Sequence, residues 1–205
     1  MRPGRTSWIL VCLGVVVAAC GGGSPPSAET EALEQWLLGA GDAAAFTETY
    51  RGTAAFDAGK VCPASDYTIP EHGAVRVELV TGPDSGEISL TEVLWVVEPG
   101  GMDVLFTGLE AAYSACDGEQ WMDYGDLKTF TVVEGPAVGD ARLAAVLRFG
   151  DDPDLIRWER GVTVRKGNVL AEFVLAEEAP DLTGSAISDD EFDAIVSDGV
   201  DKLPD

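Results

Sequence analysis

Alternating apolar and polar residues predict a β-hairpin near the middle of the chain. In AVRVELVTG, Val75, Val77 and Leu79 fall on one face, and PDSG then turns the chain into EISLTEVLWVVE. Alternation of this length is typical of strands with one buried face. The second strand is apolar on both faces near residues 93–97, so we expect other elements to cover both sides of it.

Four more strand patterns occupy the second half of the chain: LKTFTVVEG, ARLAAVLRFGD, LIRWERGVTVRKG and NVLAEFVLAEE. The connections PAVGD, DPD and KGN are short, which favours an antiparallel meander with residues 166–168 in its last tight turn. Residues 42–63 are rich in small side chains and give no clear prediction.

Helical periodicity predicts three helices. The first runs from about Glu29 to Leu38, and the third begins at a capping box formed by Ser188 and Glu191. The second carries a stripe of apolar residues at spacings of three and four: Met102, Leu105, Phe106, Leu109, Ala112, Tyr113 and Cys116. This order of elements predicts an α+β domain, with an antiparallel sheet of about six strands and three flanking helices.

The amino terminus has the layout of an export signal. MRPGR carries two positive charges and is followed by SWILVCLGVVVAA. This apolar run of about a dozen residues is shorter than the roughly 20 that a membrane-spanning helix needs. An export signal is therefore favoured over a permanent transmembrane helix.

The stretch VAAC, residues 17–20, resembles the lipobox of bacterial lipoprotein precursors, with Val17 in place of the commoner Leu. The resemblance implies a signal peptide over residues 1–19, acylation of Cys20 with fatty acid such as palmitate, and attachment to the extracytoplasmic face of the cell membrane. The alternative is a secreted protein cut after Ala19. GGGSPPS is typical of a tether, which gives residues 20–28 as lipidated cysteine and tether and residues 29–205 as the folded domain.

Acidic residues dominate the charge of the chain. There are 36 Asp and Glu against 13 Lys and Arg, for a net charge of −23. Such a surface repels phosphate backbones, so we expect no nucleic-acid partner. Solubility outside the cell explains most of this charge, and cation binding is the alternative interpretation.

Two of the four cysteines remain for the folded domain. Cys12 leaves with the signal and Cys20 is acylated, so Cys62 and Cys116 are left. Two remaining thiols in an oxidising compartment usually pair, which predicts one disulfide. The alternative is two free, buried thiols.

The sequence predicts no catalytic, metal or cofactor site. His72 is the sole histidine and lies in IPEHGA, where a solvated turn residue is the ordinary interpretation; no GxSxG elbow is present. Asp151, Asp152 and Asp154 in GDDPD lack EF-hand spacing, so we interpret them as turn residues. Trp121 and Tyr124 in EQWMDYGD are the candidate ligand surface, because aromatic residues in loops often bind partners; alternatively they cover the sheet edge.

The order of landmarks resembles a family of actinobacterial extracytoplasmic sensor-like domains, found as lipoproteins and as the outer domain of a PknH-type Ser/Thr kinase. The resemblance is carried by LLGAGD near residue 40, KVCP around Cys62, AAYSAC ending at Cys116, AVGDARLAAVLRF and VTVRKGNVLAEF. It implies a cleft for an extracellular ligand. Some members have a second cysteine pair, which this chain lacks.

Together these observations predict a non-enzymatic, membrane-anchored ligand-binding or sensor-like lipoprotein. We expect its partners to be the membrane, through the lipid, and a small molecule, a lipid or an envelope protein. The alternatives are a carboxylate-dependent envelope hydrolase and a structural or assembly lipoprotein. Two carboxyl groups opposed across a cleft would favour the hydrolase, whereas an apolar cleft would favour the binding domain.

Overall fold

A computed structural model describes residues 25–39, 41–81, 88–123, 125–150, 157–178 and 187–204. The predicted signal peptide, Cys20, Tyr124 and the aspartates of GDDPD lie outside the described residues. No helix within these ranges is both long enough and apolar enough to cross a membrane.

The described residues form a single antiparallel sheet with strand order β1-β2-β3-β8-β7-β6-β5-β4. The eight strands found in these ranges are β1 Phe46–Phe56, β2 His72–Thr81, β3 Ser89–Val96, β4 Gln120–Asp123, β5 Asp126–Val132, β6 Ala141–Phe149, β7 Arg157–Lys166 and β8 Val169–Glu178. The α+β class and the antiparallel sheet are confirmed, but the expected number of about six strands was too low. The two additional strands, β1 and β4, are the edge strands of the sheet.

Three α-helices accompany the sheet in the described ranges: α1 Ala28–Glu31, α2 Met102–Cys116 and α3 Asp189–Lys202. The first predicted helix differs from the structure, because α1 is one turn long and continues as a 3-10 helix over Ala32–Trp36. α2 has the predicted bounds. α3 begins at the predicted capping box, in which the Ser188 hydroxyl accepts from the Glu191 amide and the Glu191 carboxylate accepts from the Ser188 amide.

The sheet separates two hydrophobic cores. The first face packs against the amino-terminal segment and α3, and it includes Val75, Leu94 and Phe173. The second face packs against α2 and the loop of residues 57–71, and it includes Val93 and Trp95. β3 contributes side chains to both cores, which explains why it is apolar on both sides. The expectation that other elements cover both sides of this strand is confirmed.

α3 is fixed to the first face by Arg160 on β7. The nearly buried guanidinium donates to Asp189 Oδ1 at 2.5 Å and to Asp193 Oδ1 at 2.8 Å. It also lies 5.2 Å from the centre of the Phe192 ring. A charge-assisted hydrogen bond at each end of the guanidinium makes this a directional attachment.

The predicted disulfide between Cys62 and Cys116 is present. Its Cα atoms are 5.9 Å apart, and both cysteines are buried. The bond joins the loop of residues 57–71, which precedes β2, to the last residue of α2. The two parts that cover the second face are therefore covalently connected.

Candidate ligand-binding cavity

A cavity lies between the second face of the sheet and its cover of α2 and residues 57–71. We call it the α2 cavity; its walls are Val61, Ile69, His72, Val93, Trp95, Leu109, Tyr113, Thr163, Leu170 and Glu172. The space between these walls is about 430 Å³ when its open side is included, and the enclosed part has a cavity volume of about 30 Å³. A cavity of roughly 10–15 Å³ holds one water molecule, so the enclosed part has room for a small polar group.

Strand register brings the floor of the cavity together from three strands. Val93 on β3 pairs with Glu172 on β8, and Glu172 pairs with Thr163 on β7. Directly opposed residues on one face have Cβ atoms about 4.5–5.5 Å apart, so these three side chains are neighbours. Trp95 pairs with Leu170 in the adjacent row. The cavity floor is therefore apolar, with one hydroxyl and one carboxyl near its centre.

The Glu172 carboxyl has no hydrogen-bond partner among the described residues. Burial raises the pKa of Glu172 to about 8, and the charge of Glu159 on the same face raises it further. The side chain is partly accessible although its carboxyl lies deep in the protein, because the accessible part lines the cavity. Glu172 is therefore mostly protonated at neutral pH in the absence of a ligand.

Tyr113 of α2 contributes a second polar group from the opposite wall. Its hydroxyl oxygen is 3.2 Å from Thr163 Oγ1, which links α2 to β7. Burial, followed by the charge of Glu172, raises the pKa of Tyr113 far above its ordinary range. The phenol stays protonated, and its ring lies edge-on to Phe130 at 5.3 Å between ring centres.

His72 also faces the cavity, so its interpretation as a solvated turn residue was wrong. It is the first residue of β2, and its ring stacks on Phe56 at 5.1 Å and contacts Trp95. Burial lowers the pKa of His72 to about 4. Nδ1 is 3.0 Å from the Pro70 carbonyl oxygen, which can only accept, so Nδ1 carries the proton and Nε2 is left as an acceptor.

Trp121, one of the two aromatic residues proposed from the sequence, is not among the residues that line the α2 cavity. Trp121 is on β4, where its half-buried side chain packs against the second core. Its place agrees with the alternative that it covers the sheet edge, and Tyr124 is outside the described residues. Glu172 and Thr163 were not identified as site residues from the sequence. The sequence nevertheless contains a signal for both, because each is a polar residue at a position where strand alternation predicts a buried apolar side chain.

Glu159 is a second buried carboxyl on the same face. Its Oε1 accepts from Arg157 Nη2 at 2.8 Å, and Oε2 has no partner among the described residues. Burial raises the pKa of Glu159 to about 8. Thr163 is the register partner of Glu172, so Glu159 lies four residues away along β7, or roughly 13 Å. The two carboxyls share one face of the sheet, and they are close enough for the charge of Glu159 to raise the pKa of Glu172.

Metal-binding geometry is not found in the described ranges, where no three His, Cys, Asp or Glu side chains converge. Apolar walls with a few converging polar groups are instead typical of small-molecule sites. No protein-family model matches the chain, and no curated protein is significantly similar to it.

Proposed function

We propose that this protein is a lipid-anchored extracytoplasmic domain that binds a small molecule in the α2 cavity without catalysing a reaction. The observation that carries the proposal is a partly enclosed, otherwise apolar space around four polar side chains: His72, Tyr113, Thr163 and Glu172. The resemblance of residues 17–20 to a lipobox, and of the folded part to sensor-like domains, supports the same function.

The carboxyl groups favour binding over hydrolysis. A carboxylate-dependent hydrolase needs one protonated carboxyl and one ionised carboxylate flanking the substrate. Burial instead raises the pKa values of both Glu159 and Glu172 to about 8, in the same direction. This pair of carboxyls therefore lacks the division of roles that acid and base catalysis requires.

The path of the amino-terminal segment supports an anchor close to the cavity. Pro25 and Pro26 pass so close to Gly73 that a Cβ at this position would overlap the backbone of Pro26. Gly73 is adjacent to His72, which lines the cavity. Four residues, 21–24, lie between Cys20 and Pro25, so the Cα atoms of Cys20 and Pro25 can be at most about 18 Å apart. An anchored domain would therefore hold this end of the sheet close to the membrane.

Recovery of a bound molecule tests the proposal. The full chain is purified from membranes in mild detergent, and retained small molecules are identified by native mass spectrometry followed by organic extraction. Leu109→Trp fills the cavity from α2, whereas Val104→Trp places the same side chain on the exposed side of that helix. Melting temperatures establish that both variants are folded.

We expect wild type and Val104→Trp to retain the same molecule and Leu109→Trp to lose it. Repeated purification of wild type without any retained molecule would contradict the proposal. Equal retention by the folded Leu109→Trp variant would show that the molecule binds elsewhere.

A further inference from the structure

We propose that the α2 cavity, if it is the binding site put forward above, recognises a primary ammonium group on a small organic molecule, with Glu172 as its counter-charge. The net charge left cation binding as an alternative interpretation, but the sequence singled out neither an ammonium group nor Glu172. The groups that face Glu172 from each surrounding element leave its carboxyl without a positively charged partner.

The residues directly opposite Glu172 supply no positive charge. Val93 and Thr163 flank it across β3 and β7, and Tyr113 faces it from α2. His72 from β2 is neutral, since burial lowers its pKa to about 4. The remaining titratable influence on Glu172 is the carboxyl of Glu159, which has the same sign.

The two arginines nearest to Glu172 on the same face are engaged with other carboxylates, and the third, Arg157, pairs with Glu159. Arg165 is the diagonal neighbour of Glu172 on β7, but its Nη1 donates to Asp103 Oδ1 at 2.6 Å. Arg76 lies two strands away in the row of Val93 and is 2.9 Å from Glu78 Oε1. Neither arginine contributes to the pKa of Glu172. The carboxyl is therefore a buried acid that lacks a cation within the described protein.

The other polar atoms of the cavity are suited to an ammonium group. An ammonium offers three donors and no acceptor. His72 Nε2 can only accept, because Nδ1 carries the proton. The oxygens of Tyr113 and Thr163 have further acceptor capacity, and Glu172 completes the set. Trp95 and Tyr113 also present aromatic rings, which attract cations.

Size and charge narrow the ligand class further. The enclosed space of about 30 Å³ admits a group of about the size of water, which fits a primary ammonium better than a quaternary one. The net charge of −23 favours the approach of cations. A carboxylate or phosphate ligand would meet Glu172 with no cation to offset it. The apolar walls would contact the carbon chain that carries the ammonium.

Calorimetric titration of the full chain in detergent tests the inference with hexylammonium, hexanol and hexanoate. We expect hexylammonium to bind at least about tenfold more tightly than hexanol at pH 8, and hexanoate not to bind. Because Glu172 must lose its proton to pair with the ammonium, hexylammonium affinity should rise about tenfold from pH 6 to pH 7. At pH 7, binding should release about one proton, measured by comparing buffers with different ionisation enthalpies.

Two variants isolate the role of the cavity carboxyl. Glu172→Gln should bind hexylammonium and hexanol equally, with no proton release. Glu92→Gln is the matched control, because Glu92 is also a glutamate whose pKa burial raises to about 8. Glu92 lies on the first face, and its Oε2 accepts from the Leu38 amide. This control should retain the preference for hexylammonium.

Nanodiscs distinguish the two sources of such a group, because the phosphatidylethanolamine head group also carries a primary ammonium. Weaker hexylammonium binding in phosphatidylethanolamine nanodiscs than in phosphatidylcholine nanodiscs would assign the site to a lipid head group, and equal binding would assign it to a free amine. Equal, pH-independent binding of hexanol and hexylammonium would overturn the ammonium inference while supporting the binding function. Absence of binding by every probe, together with absence of any co-purified molecule, would overturn both.

Discussion

Replacing Glu172 with Gln should stabilise the ligand-free protein, and should do so more strongly at pH 7 than at pH 5. The substitution keeps the size of the side chain and removes its titratable proton. Burial raises the pKa of Glu172 from 4.5 to about 8. Between these two values the unfolded chain is ionised while the folded chain holds the proton, so the wild type loses stability as the pH rises.

The size of the effect follows from the two pKa values. The free energy of unfolding changes by at most about 1.36 kcal/mol per pH unit for one such group. From pH 5 to pH 7, the free energy of unfolding of the wild type should therefore fall by about 2.5 kcal/mol relative to that of Glu172→Gln. This figure includes the partial ionisation of Glu172 in the unfolded chain at pH 5. Structural relaxation around the ionised carboxylate would make the measured difference smaller.

Urea unfolding of ligand-free wild type and variant at both pH values measures this difference, with equal m-values confirming the same transition. Thr163→Val is the control, because it alters the neighbouring wall of the cavity without adding or removing a titratable group in this pH range. Its difference from wild type should be the same at pH 5 and pH 7. A Glu172→Gln difference that changes by less than about 0.5 kcal/mol would refute the protonated state assigned to the cavity.

Three further predictions concern other parts of the chain. Replacing both Cys62 and Cys116 with Ser should lower the free energy of unfolding by about 4 kcal/mol, because the disulfide closes a loop with a sequence separation of 54; a loss below 1 kcal/mol in urea unfolding would count against this. His72, the sole histidine, should give one imidazole NMR titration with a midpoint near pH 4 and a proton on Nδ1, whereas a midpoint near 6.5 would mean that the ring is solvated. Cys20→Ala should abolish metabolic labelling with fatty acid, and persistent labelling would contradict the proposed anchor.

The predictable part of the fold is the part governed by local pattern. The stripe of α2, the capping box at Ser188 and the alternation in β2 each follow from residues close together in the chain. β1 was missed because an edge strand buries few side chains, and most residues between Phe46 and Phe56 are at least partly exposed. β4 was missed because it has four residues and leaves Met122 exposed.

The site was harder to predict because it depends on which strands are neighbours. β3 pairs with β8, which brings Val93 beside Glu172 from distant parts of the chain. Alternation alone identifies Glu172 as a polar residue on a buried face, but it does not show what lies opposite. His72 was misinterpreted for the same reason, since its buried state requires Phe56 on β1 and Trp95 on β3.

Methyl NMR of the full chain provides the most direct test that the α2 cavity binds a ligand. Hexylammonium and hexanol are titrated separately, and the methyl groups of Ile69, Leu109 and Leu170 report on the cavity. Leu79 and Val196 belong to the core on the opposite face and serve as internal controls. We expect at least one probe to cause saturable shifts at the cavity methyl groups and none at the control methyl groups. Saturable shifts that spare the cavity methyl groups, or no saturable shift with either probe, would contradict binding in the α2 cavity.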